Sequence, residues 1–514
     1  MISFIRSLHA QVRRTIVSRI VGGVLALFCL ISIPLLIRQI PYLLLLSEVG
    51  YGDSYILYDV LRFQETGVIY HDLSQEPYLP ALYSPMMYML FSLPGRIIAL
   101  ENPFVGPRLV VLASFLLCIA IVTSIVRTLI PARFTWIWGV LLACTISSMW
   151  PWVLQIRADF SGICFSLLAI RLLLSRSRWA VLLAGVSAGL AMQFKITFIA
   201  ALATGVLWLL IQRRWKDLAR FAVLGTMSSA GLYVLYSVRE PRMLSQMLAL
   251  SPGVLDVRGG LRLMHQAVNE PVVLLSLLGL PRVKFSLWPR WILVLAFATM
   301  SFAVAGLTDL QAGGNINYFF EGLFALIPVA ALGVLRMMAL GRQRMTVGLF
   351  VAALFSVHFL VPRAQELRYQ FENPDTTVES RNEAFRAMKR VLSGRRILST
   401  APALALIDPR PPLTEPYLLS YLERLGKVDP QPILERIRQS EFDVVITWAH
   451  PGRWRGIDHV APDLRNVIAA SYRPHCILRE SLGCLVHLPR NAGPVSSALA
   501  QDLANIGCVP TPPE

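Results

Sequence analysis

The sequence predicts an α-helical polytopic membrane protein of about eleven transmembrane helices, followed by a small C-terminal soluble α/β domain. Three observations carry that prediction: the composition, the spacing of the apolar runs and the placement of charge. Of 514 residues, 55% are hydrophobic and only 15% are charged, and the mean hydropathy is +0.57. A soluble globular domain carries roughly 45–50% apolar and about 25% charged residues, so this chain has too few charges to wet a surface of its own size. Composition therefore argues against a cytosolic enzyme, a disordered regulator, a collagen-like chain and a disulfide-rich secreted scaffold.

Arg6, Arg13, Arg14 and Arg19 precede an apolar run at 20–37. The run is long enough to span a bilayer and no Ala-x-Ala site follows it, so it reads as an uncleaved anchor with its N-terminus inside. Residues 38–84 hold Glu48, Asp53, Asp59, Glu65, Asp72 and Glu76 and form a first outer loop. Ten further apolar segments follow, at 105–126, 134–150, 159–174, 179–194, 196–212, 221–238, 270–281, 291–307, 317–335 and 345–361. Residues 1–362 thus make the transmembrane domain, with 270–281 its shortest segment.

Before residue 363 there are 29 Lys and Arg against 14 Asp and Glu; from 363 on there are 19 against 17. The excess positive charge belongs to the membrane part, where short loops hold it. Alternating the spans places 19 basic residues and a single acid, Asp217, on the inner side. That is the asymmetry that orients membrane proteins, not the footprint of a phosphate backbone, and nucleic-acid binding is not expected.

Residues 363–514 have mixed charges, recurrent prolines and no window able to span. Helices are predicted at 378–392, 416–425 and 430–439. Strands are predicted at 396–399 and 442–447, with two more flanking the turn between Cys476 and Cys484. About 150 residues suffice for one small α/β domain, which odd span parity places outside the cytoplasm. There Cys476 and Cys484 either close a hairpin disulfide or are spaced by chance. Cys29, Cys118, Cys144 and Cys164 sit in apolar runs as packing residues, and 509–514 read as a frayed tail.

Soluble-enzyme motifs are missing. Gly185-Val-Ser-Ala-Gly189 matches a nucleophile elbow but lies in an apolar span without a preceding strand, so Ser187 is not read as a nucleophile. The spacing fits a close helix–helix contact. The informative stretch is Glu48-Val-Gly-Tyr-Gly-Asp53-Ser-Tyr, followed by Tyr78-Leu-Pro80-Ala-Leu-Tyr83-Ser-Pro85-Met-Met-Tyr88. A carboxylate at the membrane surface acts as a general base if apolar neighbours raise its pKa and a hydroxyl reaches it. The tyrosines and prolines suit a rigid aromatic shelf at headgroup level. A solvated loop with an interfacial anchor fits the same residues.

This arrangement resembles the GT-C superfamily, polytopic glycosyltransferases that use lipid-phosphate sugars and include protein O-mannosyltransferase-like and aminoarabinose-transferase-like enzymes. The resemblance covers residues 15–360. It implies that Asp53 is the first-loop catalytic aspartate, although Ser54 follows it where many relatives have Glu. Tyr83 and Pro85 match the Tyr-x-Pro element, and Arg157-Ala-Asp159 resembles an Arg-x-Asp that supplies a second acid.

The residues also stand on their own chemistry. Arg157 and Asp159 form an ionisable pair at the end of an apolar segment, suited to a polar cavity or to fixing helix depth. Lys195, alone in Phe194-Lys-Ile-Thr-Phe198, either meets a lipid phosphate or snorkels to the interface. Gly313-Gly-Asn315-Ile-Asn317-Tyr318-Phe-Phe-Glu321 opens a span; Asn317 and Glu321 share a helix face and suit sugar hydroxyls, while Asn315 or Asn317 equally suits a helix cap. Arg239, Arg242, Arg258 and Arg262 lie in an outer loop and suit anionic headgroups, a donor phosphate or plain solvent. His71 and His265 have no second His at ligand spacing, so no metal site is supported.

The expected function is inverting transfer of a sugar from a polyprenyl-phosphate carrier to a glycan, lipid or protein acceptor of the envelope, on the outer face of the plasma membrane. Asp53 and Asp159 would be catalytic, and no further cofactor is implied. A transporter or lipid-handling carrier is the rival, and a structural subunit of an envelope complex a third reading. The acids gathered on one side, and the absence of an internal repeat, weigh against the carrier. Alkaline phosphatase fused after residue 400 is expected to be active and after residue 216 inactive; an inactive fusion at 400 would contradict the outer placement of the tail domain.

Overall fold

The computed structural model describes residues 20, 22–50, 52–73, 79–98, 100–132, 134–175, 177–249, 253–279, 288–311, 313–338, 353, 355–372, 378–399, 416–448, 453–454, 457–458, 460–478, 484–491 and 494–511. Among these, five helices are long and apolar enough to cross a membrane: Gly22–Leu44, Val105–Leu129, Trp215–Arg239, Pro289–Asp309 and Ile316–Met338. Thr135–Cys144, Arg178–Met192 and Ala200–Ile211 are shorter apolar helices. A helix falls within ten of the eleven predicted segments; the eleventh, 345–361, is described only at 353 and from 355 on. Eleven complete crossings are thus more than the described helices support.

The shortfalls have local causes. The segment predicted at 134–150 stops at Cys144 and turns through a 3-10 helix, Ser147–Trp152, that contains Pro151. The buried Glu270 carboxylate holds this turn, accepting from Ser147 N–H at 3.3 Å, Ser147 Oγ at 3.2 Å and Ser148 N–H at 3.0 Å. The weak segment 270–281 is a nine-residue helix, Pro271–Gly279, packed on Phe320–Met338. Beyond 355 the chain stays helical through Val361–Glu372, so the change of composition at Arg363 falls inside a helix. The region read as an outer loop is itself helical over Asp53–Thr66.

Gly185 and Gly189 sit in the middle of Arg178–Met192. A Cβ at Gly185 would lie 2.6 Å from the Phe221 carbonyl oxygen, and one at Gly189 2.3 Å from that of Gly225. The pattern is therefore a close contact with the Trp215–Arg239 helix, as its spacing predicted, and not a nucleophile elbow.

The tail domain is a five-stranded sheet. β1 (Ile397–Ser399) pairs parallel with β2 (Val444–Trp448); with β3 (Arg453–Trp454) and β4 (Ile457–Asp458) forming a separate ribbon, β5 (Tyr472–Leu478), β6 (Cys484–Pro489) and β7 (Val509–Pro510) complete the order β1-β2-β6-β5-β7. The apolar run in β2 is continuous because both faces are covered. Val444 and Ile446 pack with Phe385, Met388, Leu499 and Leu503 on one side, and Val445 packs with Ile433, Ile437, Leu464 and Ile468 on the other. Helices 378–392, 416–424 and 431–438 match the sequence prediction, whereas Pro462–Ser471 and Pro494–Asn505 were not predicted.

The disulfide differs from the pairing considered from the sequence. Cys476 is bonded to Cys508, with Cα atoms 5.5 Å apart, and Cys484 is a buried thiol. In the β5–β6 hairpin Cys476 stands opposite Val486 and Cys484 opposite Leu478, so the two cysteines are out of register. The bond ties down Val509–Pro510, which pair with β5 instead of fraying. Non-reducing peptide mapping is expected to recover Cys476 linked to Cys508; Cys508→Ser should destabilise the tail domain by about 3 kcal/mol, and Cys484→Ser should leave the bridge intact.

Candidate active site

Gly52 has φ +87°, and a Cβ there would also lie 2.9 Å from Arg157 Nη2, so both backbone and contact demand glycine before the helix that Asp53 opens. Asp53 is wholly buried. Its Oδ2 accepts from the N–H groups of Val49 at 3.1 Å and Gly50 at 3.2 Å, and its Oδ1 from that of Ile156 at 3.1 Å. Burial pushes its pKa up, opposed by the Arg157 and Arg108 charges and by the Gly50 and Val49 N–H groups. The carboxylate is therefore closed in by backbone donors, whereas the sequence reading expected it to be presented to an acceptor hydroxyl.

What Asp53 does is hold the first loop to 156–157. Arg157 Nη1 donates to the Tyr83 hydroxyl at 3.3 Å. Tyr83 is in turn fixed by its own backbone: its carbonyl accepts from Tyr70 Oη at 2.5 Å and its N–H donates to Tyr88 Oη at 3.2 Å. The sequence singled out Tyr83 and Tyr88 as an aromatic shelf but not Tyr70, nor Glu240, which accepts from the N–H groups of Ile69 and Tyr70 at 2.9 and 2.7 Å. Gln246 adds a bond from Ala81 N–H at 2.8 Å.

Two residues beyond Arg157, Asp159 starts an apolar helix and lines a small cleft with Lys195, Thr197, Ser301, Thr308, Tyr318 and Glu321. Four helix ends meet here. Lys195 Nζ lies 3.5 Å from Asp159 Oδ1 and 3.6 Å above the centre of the Tyr318 ring, an ion pair and a cation–π contact at once. Asp159 and Glu321 are buried; Asp159 Oδ2 has no hydrogen-bond partner, while the Glu321 carboxylate has the Ser166 and Ser301 hydroxyls beside it. A buried orphan oxygen is costly unless a donor reaches it, and Asp159 Oδ2 faces a cleft that such a donor can enter.

The remaining predicted residues fall elsewhere. Asn315 accepts from Ile316 N–H at 2.8 Å and so acts as the cap of the 3-10 turn Ile316–Phe319. Asn317 is buried next to the cleft but does not line it. Arg258 and Arg262 are exposed on the Val257–Val268 helix, away from the cleft, because Gly260 and Ala267 form its buried face. Arg242 pairs with Asp72 at 2.7 Å. Among the described residues no cluster of His, Cys, Asp and Glu suits a metal ion.

Sequence reasoning missed Arg108, Asp59 and the role of Glu48. Arg108 is fully buried and donates to the carbonyls of Tyr42, Leu43, Leu45 and Ser47. In the sequence it is one arginine at the edge of an apolar run, and nothing there signals four carbonyl partners. Asp59 is paired with Arg62 at 3.4 Å.

Together these features define a polytopic membrane protein with a buried polar site where several apolar helices end. Its fold is similar to that of solved ArnT and archaeal oligosaccharyltransferase structures. The structure of ArnT from Cupriavidus metallidurans in the apo state aligns with a TM-score of 0.58 at 13% identity, over 91% of this chain and 98% of that one. ArnT from the same organism bound to undecaprenyl phosphate aligns with a TM-score of 0.57 at 14% identity, over 90% and 99%. The apo oligosaccharyltransferase of Archaeoglobus fulgidus gives 0.53 at 11%, over 94% and 77%. No protein-family model and no curated protein sequence matches the chain.

Burial pushes the Glu48 carboxyl up to about 8 and that of Asp59 up to about 7. Both stay protonated in the folded protein at pH values where the unfolded chain has ionised them, so stability falls as pH rises from about 4.5 towards 8. In Glu48→Gln that fall is expected to be shallower, read as melting temperature from pH 5 to pH 8; a slope equal to the wild type would contradict the protonated state of Glu48.

Proposed function

We propose that the protein transfers a sugar from a polyprenyl-phosphate carrier to an envelope acceptor on the outer face of the plasma membrane, with inversion at the anomeric carbon. The observation that carries this reading is the cleft itself, in which Lys195 faces Asp159 and Tyr318, Asp159 keeps an unpaired oxygen, and Glu321 lies close by with Ser301. One positive group beside several acceptors suits a phosphate joined to a hydroxyl-bearing sugar. The ArnT structure of the same fold is bound to undecaprenyl phosphate, which supports a lipid phosphate of that kind. The disulfide of the tail domain supports an oxidising, extracytoplasmic side.

In this mechanism the donor phosphate takes Lys195 as its counter-ion, with Arg157 nearby. Asp159 is thereby left without its ion-pair partner and becomes the carboxylate that receives the acceptor's proton. The acceptor oxygen forms a bond to the anomeric carbon from the face opposite the phosphate. The carbon–oxygen bond to phosphate breaks, and its electron pair stays on the phosphate oxygen, whose charge Lys195 stabilises. Glu321 and Ser301 bind sugar hydroxyls. Asp53 organises: it holds the first loop to Ile156 and so sets Arg157 against Tyr83.

In membranes supplied with labelled polyprenyl-phosphate sugars, Asp159→Asn should lower kcat by about 100-fold or more, and Lys195→Met should chiefly raise the donor KM. Asp53→Asn should lose about 100-fold, because the amide NH2 would face a backbone N–H whichever way it turned. Normal transfer by Asp159→Asn at normal expression would overturn the reading. Counterflow of a solute in proteoliposomes without glycosylation would favour the carrier.

A further inference from the structure

The segment that leads into the Asp53 loop, residues 44–48, is gripped from two sides. The membrane domain supplies Arg108 and also Asn102, whose Nδ2 donates to the carbonyls of Leu44 at 3.2 Å and Leu45 at 3.3 Å. The tail domain supplies Asn382, on its Val378–Leu392 helix. Asn382 Oδ1 accepts from Leu46 N–H at 2.7 Å, and its Nδ2 donates to the Leu44 carbonyl at 3.1 Å. Next to it, Arg381 Nη2 donates to the Glu48 carbonyl at 3.3 Å. Leu46 itself packs on the tail-domain core that includes Phe385 and Met388.

A side-chain amide that accepts from one backbone N–H and donates to a carbonyl two residues away copies the bonding of a neighbouring strand. It therefore sets the register of the segment and does more than touch it. Asn382 is buried and Leu46 half-buried, so losing the amide would take from the Leu46 N–H a well-placed partner. Five residues after Leu44–Glu48 stands Asp53, whose Oδ2 is held by Val49 and Gly50, the two residues directly beyond the gripped segment. A shift of the segment would be passed to the Asp53 carboxylate and on to Ile156.

We propose that Asn382 is a positioning residue through which the C-terminal domain holds residues 44–48, and with them the Asp53 loop, in the arrangement that transfer requires. This rests on the reading of Asp53 given above, and it assigns residues 363–514 a role in the reaction centre apart from any choice of acceptor.

The test uses the full-length protein in nanodiscs with Asn382→Ala and the near-isosteric Asn382→Asp, which keeps the acceptor for Leu46 and loses the donor to Leu44. Hydrogen exchange of amides 46–53 should quicken by about tenfold in Asn382→Ala and less in Asn382→Asp, with exchange in Val444–Trp448 unchanged. Turnover of labelled undecaprenyl-phosphate sugars should fall by about tenfold at an unchanged donor KM, since Lys195 and Tyr318 are untouched. Unchanged exchange at 46–53 would overturn the proposal, and so would looser exchange with wild-type turnover. Equal loosening of Val444–Trp448 in both variants would make Asn382 a folding residue of the tail domain and overturn it too. Should Asp53→Asn transfer normally, the reading of Asp53 fails, while the grip of Asn382 on the loop still stands or falls by exchange alone.

Discussion

A carboxylate removed from water is costly unless its oxygens find donors, and Asp53 finds all of its donors in the backbone: Val49 and Gly50 on one oxygen, Ile156 on the other. That single side chain joins two stretches of chain about a hundred residues apart. From Ile156 the connection runs to Arg157, which reaches Tyr83, and two residues on to Asp159, which reaches Lys195. The polar contacts on this path join buried to half-buried groups, and the rest of it is the chain itself, so the geometry of the cleft depends on the loop that Asp53 closes.

Because backbone donors hold Asp53, its role is set by the path of the chain, not by a partner side chain. Gly52 with its positive φ lets the chain turn into the helix, and it leaves room for the Arg157 guanidinium. The tail domain enters the same system. Asn382 and Arg381 grip the segment just before the loop, and Tyr421 Oη accepts from Val254 N–H at 3.0 Å, while Leu418 and Leu422 pack with Leu79 and Ala249. Membrane and tail domains thus share these loops as a common interface.

Periodicity and charge made the helical membrane class and the tail sheet legible, since apolar runs and alternating faces are local properties. The limits of individual helices were less so: Cys144 ends a helix because Glu270, far along the chain, holds the turn after it. The site was legible where an ionisable residue stood out against an apolar run, as with Asp159, Lys195 and Glu321. It was not legible where a residue's task depends on what the fold brings to it. Asn315 proved a cap, Arg258 and Arg262 point to an exposed helix face, and Arg108, Glu240 and Asn382 work on backbone groups that no spacing reveals. Spacing along the chain left a bond between Cys476 and Cys484 open, whereas the sheet order brings Cys508 beside Cys476.

The most direct measurement is a cryo-EM structure of the protein with undecaprenyl phosphate, at a resolution that places the phosphate and the side chains around it. The phosphate is expected beside Lys195, with Asp159 parted from it and Asp53 still bonded to Val49, Gly50 and Ile156. A lipid phosphate bound elsewhere, with Lys195 and Asp159 still paired and the cleft empty of it, would contradict the account.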